Sequence, residues 1–238
     1  MTSFERNDDA AASASKTAVV TGASSGIGRA IVSRLLADGW KVIGLSRSLV
    51  VEDSQNFRSI QVDLSDFDQL TQELAGIGEV DAIVHAAGFM RTAPVGELKS
   101  EDGAAMWALH VGAAEVLVNQ LAAKLPAGGR IVLIGSRTAT GAAGRSQYVA
   151  TKAAMVGMAR SWAAELVGRQ ITVNVVAPGA TETPMLLDSN RVGTPPKKPP
   201  IGRFIRPDEV AGVTAFLLGP DAGAITGQQI VVCGGGSL

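Results

Sequence analysis

Seven short apolar runs alternate along this chain with segments of helical period. The runs are Thr17–Thr21, Lys41–Leu45, Ser59–Val62, Val80–Val84, Arg130–Ile134, Ile171–Val176 and Gln229–Val232. Runs of this length that end at glycine or small residues suit parallel strands buried on both faces. Between them, Gly26–Asp38 places Ile27, Ala30, Ile31 and Leu35 on one face, and Gly39 ends it. Further helices are predicted over Asp66–Ala75, a long one over about Glu101–Leu125, Ser146–Val167, and Pro207 to about Leu218. Strands alternating with helices predict one α/β domain over 16–238 built on a doubly wound parallel sheet. In such a sheet, ligands bind at the carboxyl ends of the strands.

Two segments fall outside the pattern. Residues 1–15 are small, polar and acidic and read as a disordered tail; Met1–Lys16 has no apolar core of a secretory signal. Residues from about 184 to 204 lose all periodicity around Pro195, Pro196, Pro199 and Pro200, and read as a lid over the site.

Composition narrows the function classes. Of 238 residues, 46% are hydrophobic and 18% charged, enough to build a core and too apolar for a disordered chain. The net charge of −1 supplies no basic excess for nucleic acid, so none is expected as a partner. No apolar run reaches the ~18–20 residues that span a bilayer, so no membrane partner is expected. The single cysteine, Cys233, cannot pair within the chain and points to a reducing compartment, the cytoplasm; it reads as buried and inert. The two histidines, His85 and His110, have no cysteine or carboxylate cluster beside them in the sequence, so no metal site is expected.

The strongest local signal is Thr21-Gly22-Ala23-Ser24-Ser25-Gly26-Ile27-Gly28, which joins the first strand to the first helix. Glycines there let the backbone approach a pyrophosphate, and the helix N-terminus offers free N–H groups. A glycine-rich stretch can equally be only a turn. It is followed in order by Asp63-Leu64, His85-Ala86-Ala87-Gly88, Ser136, Tyr148-Val149-Ala150-Thr151-Lys152, Pro178-Gly179 with Thr183, and a closing Gly234-Gly235-Gly236.

With these landmarks the chain resembles the short-chain dehydrogenase/reductase family from Thr17 to Gly236. The resemblance implies a Rossmann-type fold, a nicotinamide cofactor, and hydride transfer to or from a carbonyl or secondary alcohol. It implies cofactor contacts from Gly22, Ser24, Ser25, Gly26, Ile27 and Gly28, from Ala86, Ala87 and Gly88, and from Tyr148 and Lys152. Pro178, Gly179, Thr181 and Thr183 correspond to contacts at the nicotinamide end. Asp63 and Leu64 fall at the adenine.

Tyr148, the only tyrosine, and Lys152 lie four apart on a predicted helix, hence on one face. An ammonium at ~4 Å attracts a phenolate by roughly 4 kcal/mol at an effective dielectric near 20. That corresponds to at most about 3 pKa units, enough to bring a tyrosine into acid–base range. Ser136, at the end of a strand, can hold the substrate oxygen. The family usually has asparagine where this chain has His110. Three readings stay open there: its carbonyl serves a proton relay, its imidazole joins that relay, or it is a core histidine. His85 replaces another family asparagine and reads as structural.

After the second strand stands Ser46-Arg47, with no acid to repel a 2′-phosphate. NADP(H) is therefore the expected cofactor, with NAD(H) as the alternative. The expected function is an NADP(H)-dependent oxidoreductase acting on a small carbonyl or alcohol substrate. The rivals are a 3-oxoacyl-thioester (acyl carrier protein) reductase and a non-catalytic NADP(H) sensor. The short lid suggests a narrow substrate, and the alanine-rich helices suggest a homotetramer.

Overall fold

The structure is a computed structural model that describes residues 15–187 and 196–238. Seven parallel strands form one sheet in the order β3-β2-β1-β4-β5-β6-β7. They are β1 (Thr17–Thr21), β2 (Lys41–Ser46), β3 (Phe57–Gln61), β4 (Ala82–His85), β5 (Arg130–Ile134), β6 (Thr172–Pro178) and β7 (Gln229–Val232). The doubly wound parallel fold expected from the alternating pattern is the one observed. The order reverses between β1 and β4, which opens a crevice at their carboxyl ends.

Alternation along the strands divides the core in two. Val19, Ile83, Ile131 and Val173 are register partners across four strands and share one buried layer. That layer lies under α2 (Phe67–Ala75), α4 (Ala113–Leu121) and α5 (Ser146–Leu166). Ala18, Val20, Ala82, Val84 and Val132 point the other way and pack with α1 (Gly26–Ala37) and α6 (Pro207–Leu218). Each of these large side chains contributes ~1.5–3 kcal/mol on burial, so the strands are fixed in register by both faces at once.

The long helix predicted over Glu101–Leu125 is not one α-helix. It divides into α3 (Ser100–Trp107), a π-helical turn at Ala108–Gly112, α4, and a 3-10 turn at Ala122–Lys124. The wider turn releases the Leu109 carbonyl, which accepts the Nε2–H of His85 at 3.1 Å. Gly112 lets the turn lie against Phe67, because a Cβ there would meet that ring at 2.4 Å. Smaller shifts occur at strand ends: β3 begins two residues earlier because Phe57 pairs with Val42, and β6 runs on to Pro178, which pairs with Val232.

The tail expected over residues 1–15 lies outside the described residues except for Ser15, and so do residues 188–195 of the expected lid. Among the described residues no helix is long and apolar enough to cross a membrane.

Candidate active site

The glycine-rich turn carries β1 into α1 at the switch point. Gly22 has φ +69°, and a Cβ there would sit 2.9 Å from the Ala87 backbone, so the turn and the Ala86-Ala87-Gly88 segment press together. Ser25 precedes α1 without a side-chain cap. The first N–H groups of the helix are therefore left to a ligand. Gly22, Ser25, Ile27 and Gly28 line a cavity of about 400 Å³ that continues over β4, β5 and β6. This cradle fits the pyrophosphate of a dinucleotide. Gly26 sits against Thr183, whose methyl would lie 3.2 Å from an added Cβ.

Ser136, Tyr148 and Lys152 line the same cavity and all three are buried. Ser136 stands two residues after β5, where its hydroxyl accepts the Thr138 N–H at 3.2 Å and meets the Thr138 hydroxyl at 2.9 Å. Lys152 donates to the Ile134 carbonyl at 2.9 Å. Its Nζ lies 5.9 Å from the Tyr148 ring centroid. Burial pushes the Lys152 ammonium down to about 7.

Both histidines are fully buried, and their hydrogen bonds fix their tautomers. His110 Nε2 accepts the Phe89 N–H at 3.2 Å, so its Nδ1–H donates to Thr151 Oγ1 at 2.8 Å. Thr151 in turn donates to the Tyr148 carbonyl at 2.8 Å. The imidazole thus ties the loop after β4 to the turn of α5 that carries Tyr148 and Lys152, and its ring centroid lies 5.7 Å from that of Tyr148. Burial and then the Lys152 charge hold His110 well below its usual pKa. Gly88 leaves room for this ring, since a Cβ there would lie 2.9 Å from His110 Nε2.

His85 donates through Nε2 to Leu109 and accepts at Nδ1 from the Thr21 hydroxyl at 3.0 Å. Thr21 Oγ1 accepts the Ala86 and Ala87 N–H groups, both at 3.1 Å. Burial, then Lys152, lowers the His85 pKa to about 3. An unfolded histidine takes its proton near 6.5. Between those values the unfolded chain holds the extra proton, so stability rises with pH and is lost as pH falls below 6.5. Between pH 7 and 5 His85 alone should cost about 2 kcal/mol of stability. Urea midpoints measured across that range check this; His85→Asn should flatten the slope, and a flat wild-type profile would refute it.

The remaining predicted cofactor residues divide into two sets. Pro178, Gly179, Thr181 and Thr183 line the cavity together with Ala86, Ala87 and Gly88. Ser24, Gly26, Ser46, Arg47, Asp63 and Leu64 are not among its lining residues. Ser46, Arg47, Asp63 and Leu64 lie at or beyond the carboxyl ends of β2 and β3, on the β1 side of the switch point. Ser46 is buried and donates to the Ser48 carbonyl at 2.8 Å; Arg47 is exposed, and its carbonyl accepts from Gln61 at 2.9 Å. Asp63 accepts the Ser65 N–H, while Leu64 is packed in the core. Of the expected lid, Met185, Leu186, Pro196 and Lys197 line the cavity. Arg203 does not: Glu209 of α6 holds it with two contacts of 2.7 and 2.8 Å.

Among the described residues no group of three or more histidine, cysteine or acidic side chains comes together. Cys233 is buried, its Sγ 3.2 Å from the Ser237 hydroxyl. Sequence reasoning missed Thr21, Thr138 and Thr151, whose hydroxyls organise the site, and Arg137 and Arg145, which line it. Arg145 was legible in principle only as a charged residue close ahead of Tyr148; it stands directly before α5, outside the helix.

The family whose profile matches residues 22–237 is described as "Enoyl-(Acyl carrier protein) reductase". The 3-oxoacyl-[acyl-carrier-protein] reductase FabG of Escherichia coli K12 is 37% identical over 236 residues, covering 92% of this chain and 96% of that protein. A short chain dehydrogenase family protein from Francisella tularensis superposes with a TM-score of 0.86 at 27% identity, covering 94% of this chain and 99% of that one. A blue fluorescent protein from a metagenomic library, solved in complex with NADPH, gives 0.82 at 34% identity, covering 94% and 98%.

Proposed function

The chain belongs to the short-chain dehydrogenase/reductase family, and we propose that it reduces a small ketone, or oxidises the matching alcohol, with NADP(H) as its cofactor. One observation carries the reading: Ser136, Tyr148 and Lys152 meet in the cavity that also receives the uncapped, glycine-lined start of α1. A nicotinamide held there supplies or accepts the hydride. The protein's own groups handle the oxygen and its proton. The Ser136 hydroxyl holds the carbonyl oxygen, and the Thr138 N–H orients that hydroxyl. Tyr148 gives its phenolic proton to the developing alkoxide, or takes one in the reverse direction. Lys152 shares the charge left on the pair. His110 acts as a positioning residue, because both its ring nitrogens are engaged and neutral. The test is NADPH and NADH oxidation against a panel of ketones, diketones and 3-oxoacyl thioesters.

Cofactor choice rests on Ser46 and Arg47. Among the described residues Arg47 has no ion-pair partner, so its guanidinium is available to a 2′-phosphate. A charged hydrogen bond of this kind contributes ~1.5–3 kcal/mol, or about 10–100-fold in affinity. Arg47→Asp should lower kcat/KM with NADPH by about that factor and raise it with NADH. A wild-type preference for NADH would refute the assignment.

The 37% identity to a 3-oxoacyl-[acyl-carrier-protein] reductase supports a narrower reading, in which the ketone is a 3-oxoacyl thioester. Turnover of an acyl carrier substrate in preference to free ketones would select it. A sensor without chemistry has no need of Ser136, Tyr148 and Lys152 together. The segment around 184–204 is proposed as the substrate lid, with Met185 and Leu186 as its apolar floor. The single cysteine supports action in a reducing cytoplasm. The partly exposed Trp162, Leu166 and Val167 of the α5 region support a homotetramer, which light scattering checks.

A further inference from the structure

The connection from β5 to α5 brings two arginines into the cavity, Arg137 directly after Ser136 and Arg145 directly before α5. Neither has an acidic partner among the described residues. Arg137 donates one N–H to the Gly236 carbonyl at 2.8 Å. The Nε of Arg145 is shut off from solvent and has no hydrogen-bond partner. Leaving such a donor unpaired is costly, and placing a second cation near it adds repulsion. Burial lowers the Arg145 pKa, Tyr148 opposes that, and the Arg137 charge lowers it further. Lys152 and Lys197 add two further basic groups, and no aspartate or glutamate is among the described residues that line the cavity.

We propose that Arg137 and Arg145 bind a carboxylate of the substrate, so that the protein acts on a short oxo acid or the matching hydroxy acid. This deepens the reductase reading and rests on it for the reacting carbonyl. The anion is the substrate's rather than the cofactor's, because the two arginines stand beyond Ser136. The pyrophosphate cradle lies at the start of α1, after β1, which β4 separates from β5 in the sheet. Arg145 stands directly before α5, three positions ahead of Tyr148, and both line the cavity with Lys152. A carboxylate gripped there lies at the Tyr148 end of the cavity, which suits acids whose oxo group is close to the carboxylate, such as 2-oxo and 3-oxo acids. A planar guanidinium can grip both carboxylate oxygens at once. Phe89, Met90 and Met185 leave the other end of the cavity apolar.

The experiment compares each acid with its uncharged ester: phenylglyoxylate with methyl phenylglyoxylate, and acetoacetate with methyl acetoacetate. A neutral acetoacetyl thioester of N-acetylcysteamine is run beside them. With NADPH, wild-type kcat/KM should favour the acid over the ester by at least about tenfold. Arg145→Gln and Arg137→Gln should each bring that ratio close to one, and Arg145→Lys should restore part of it. Calorimetric binding of the acids and esters to the NADPH-loaded protein gives the same ratio without turnover. Esters or the thioester turned over as well as the acids would overturn the anion site and leave the reductase reading standing. Acids that bind tightly through Arg145 with no turnover of any compound would overturn the reductase reading and leave the anion site. A variant that fails to fold does not spare the proposal, since a wild-type ratio of one or less refutes it alone.

Discussion

Replacing Tyr148 by phenylalanine should lower kcat/KM for ketone reduction by about 10²–10⁴, the usual contribution of a positioned general acid. The loss should fall on kcat, because the missing proton donor acts in the transition state. Little else should change. The ring keeps its edge contact with His110 at 5.7 Å and its place beside Lys152. The helix keeps the Thr151-to-Tyr148 backbone bond. NADPH binding, followed by its fluorescence, should stay within a few-fold of wild type, and the melting temperature within a few degrees. A variant that retained a tenth of the activity would show that another group protonates the alkoxide. Lys152, held near 7 by burial, would then be the candidate.

Gly28→Ala should be the most damaging small substitution in the chain. A Cβ there would lie 2.2 Å from the Gly22 carbonyl oxygen and 3.1 Å from that of Thr21. Both neighbours are backbone, so no side chain can swing aside. Relief requires α1 to move off the turn after β1, which also opens the pyrophosphate cradle. Overpacking of this severity costs about 3 kcal/mol or more. In a chain of this size that lowers the melting temperature by about 6–12 °C. NADPH affinity should fall by at least about 100-fold, because the N–H groups of α1 lose their aim. The control is Gly157→Ala, in the interior of α5 with nothing within 4 Å of the new methyl. It should be neutral or stabilising by up to about 1 kcal/mol. Equal behaviour of the two variants in thermal melts and NADPH titrations would mean that the turn tolerates a side chain and that the close approach is not what the glycine serves.

How much was legible from the sequence varies residue by residue. The strands were readable because a parallel strand buried on both faces must be apolar at nearly every position, as Val19, Val20, Ile83 and Val84 are. The reach of each strand was not, since Phe57 and Pro178 join the sheet only through partners far away in the chain. Tyr148 and Lys152 were readable because helical spacing alone puts them on one face. The break in the long helix was not: nothing local separates Ala108–Gly112 from the good helix formers around it. The carbonyl that the π turn frees is met by His85, two elements earlier, a partner no local pattern could name.

Local order along the chain therefore determined the fold class, the cradle at Gly22–Gly28 and the pairing of a tyrosine with a lysine. Each follows from periodicities and conformational limits acting over a few residues. Only the tertiary structure decided what the charged and polar groups do. It sent Arg203 away to Glu209 and left the Arg145 Nε buried without a partner among the described residues. It also fixed both histidines as neutral links between segments. Burial, desolvation and hydrogen-bond partners are set by whatever packs against a side chain, and in this protein those neighbours come from strands and helices distant in sequence.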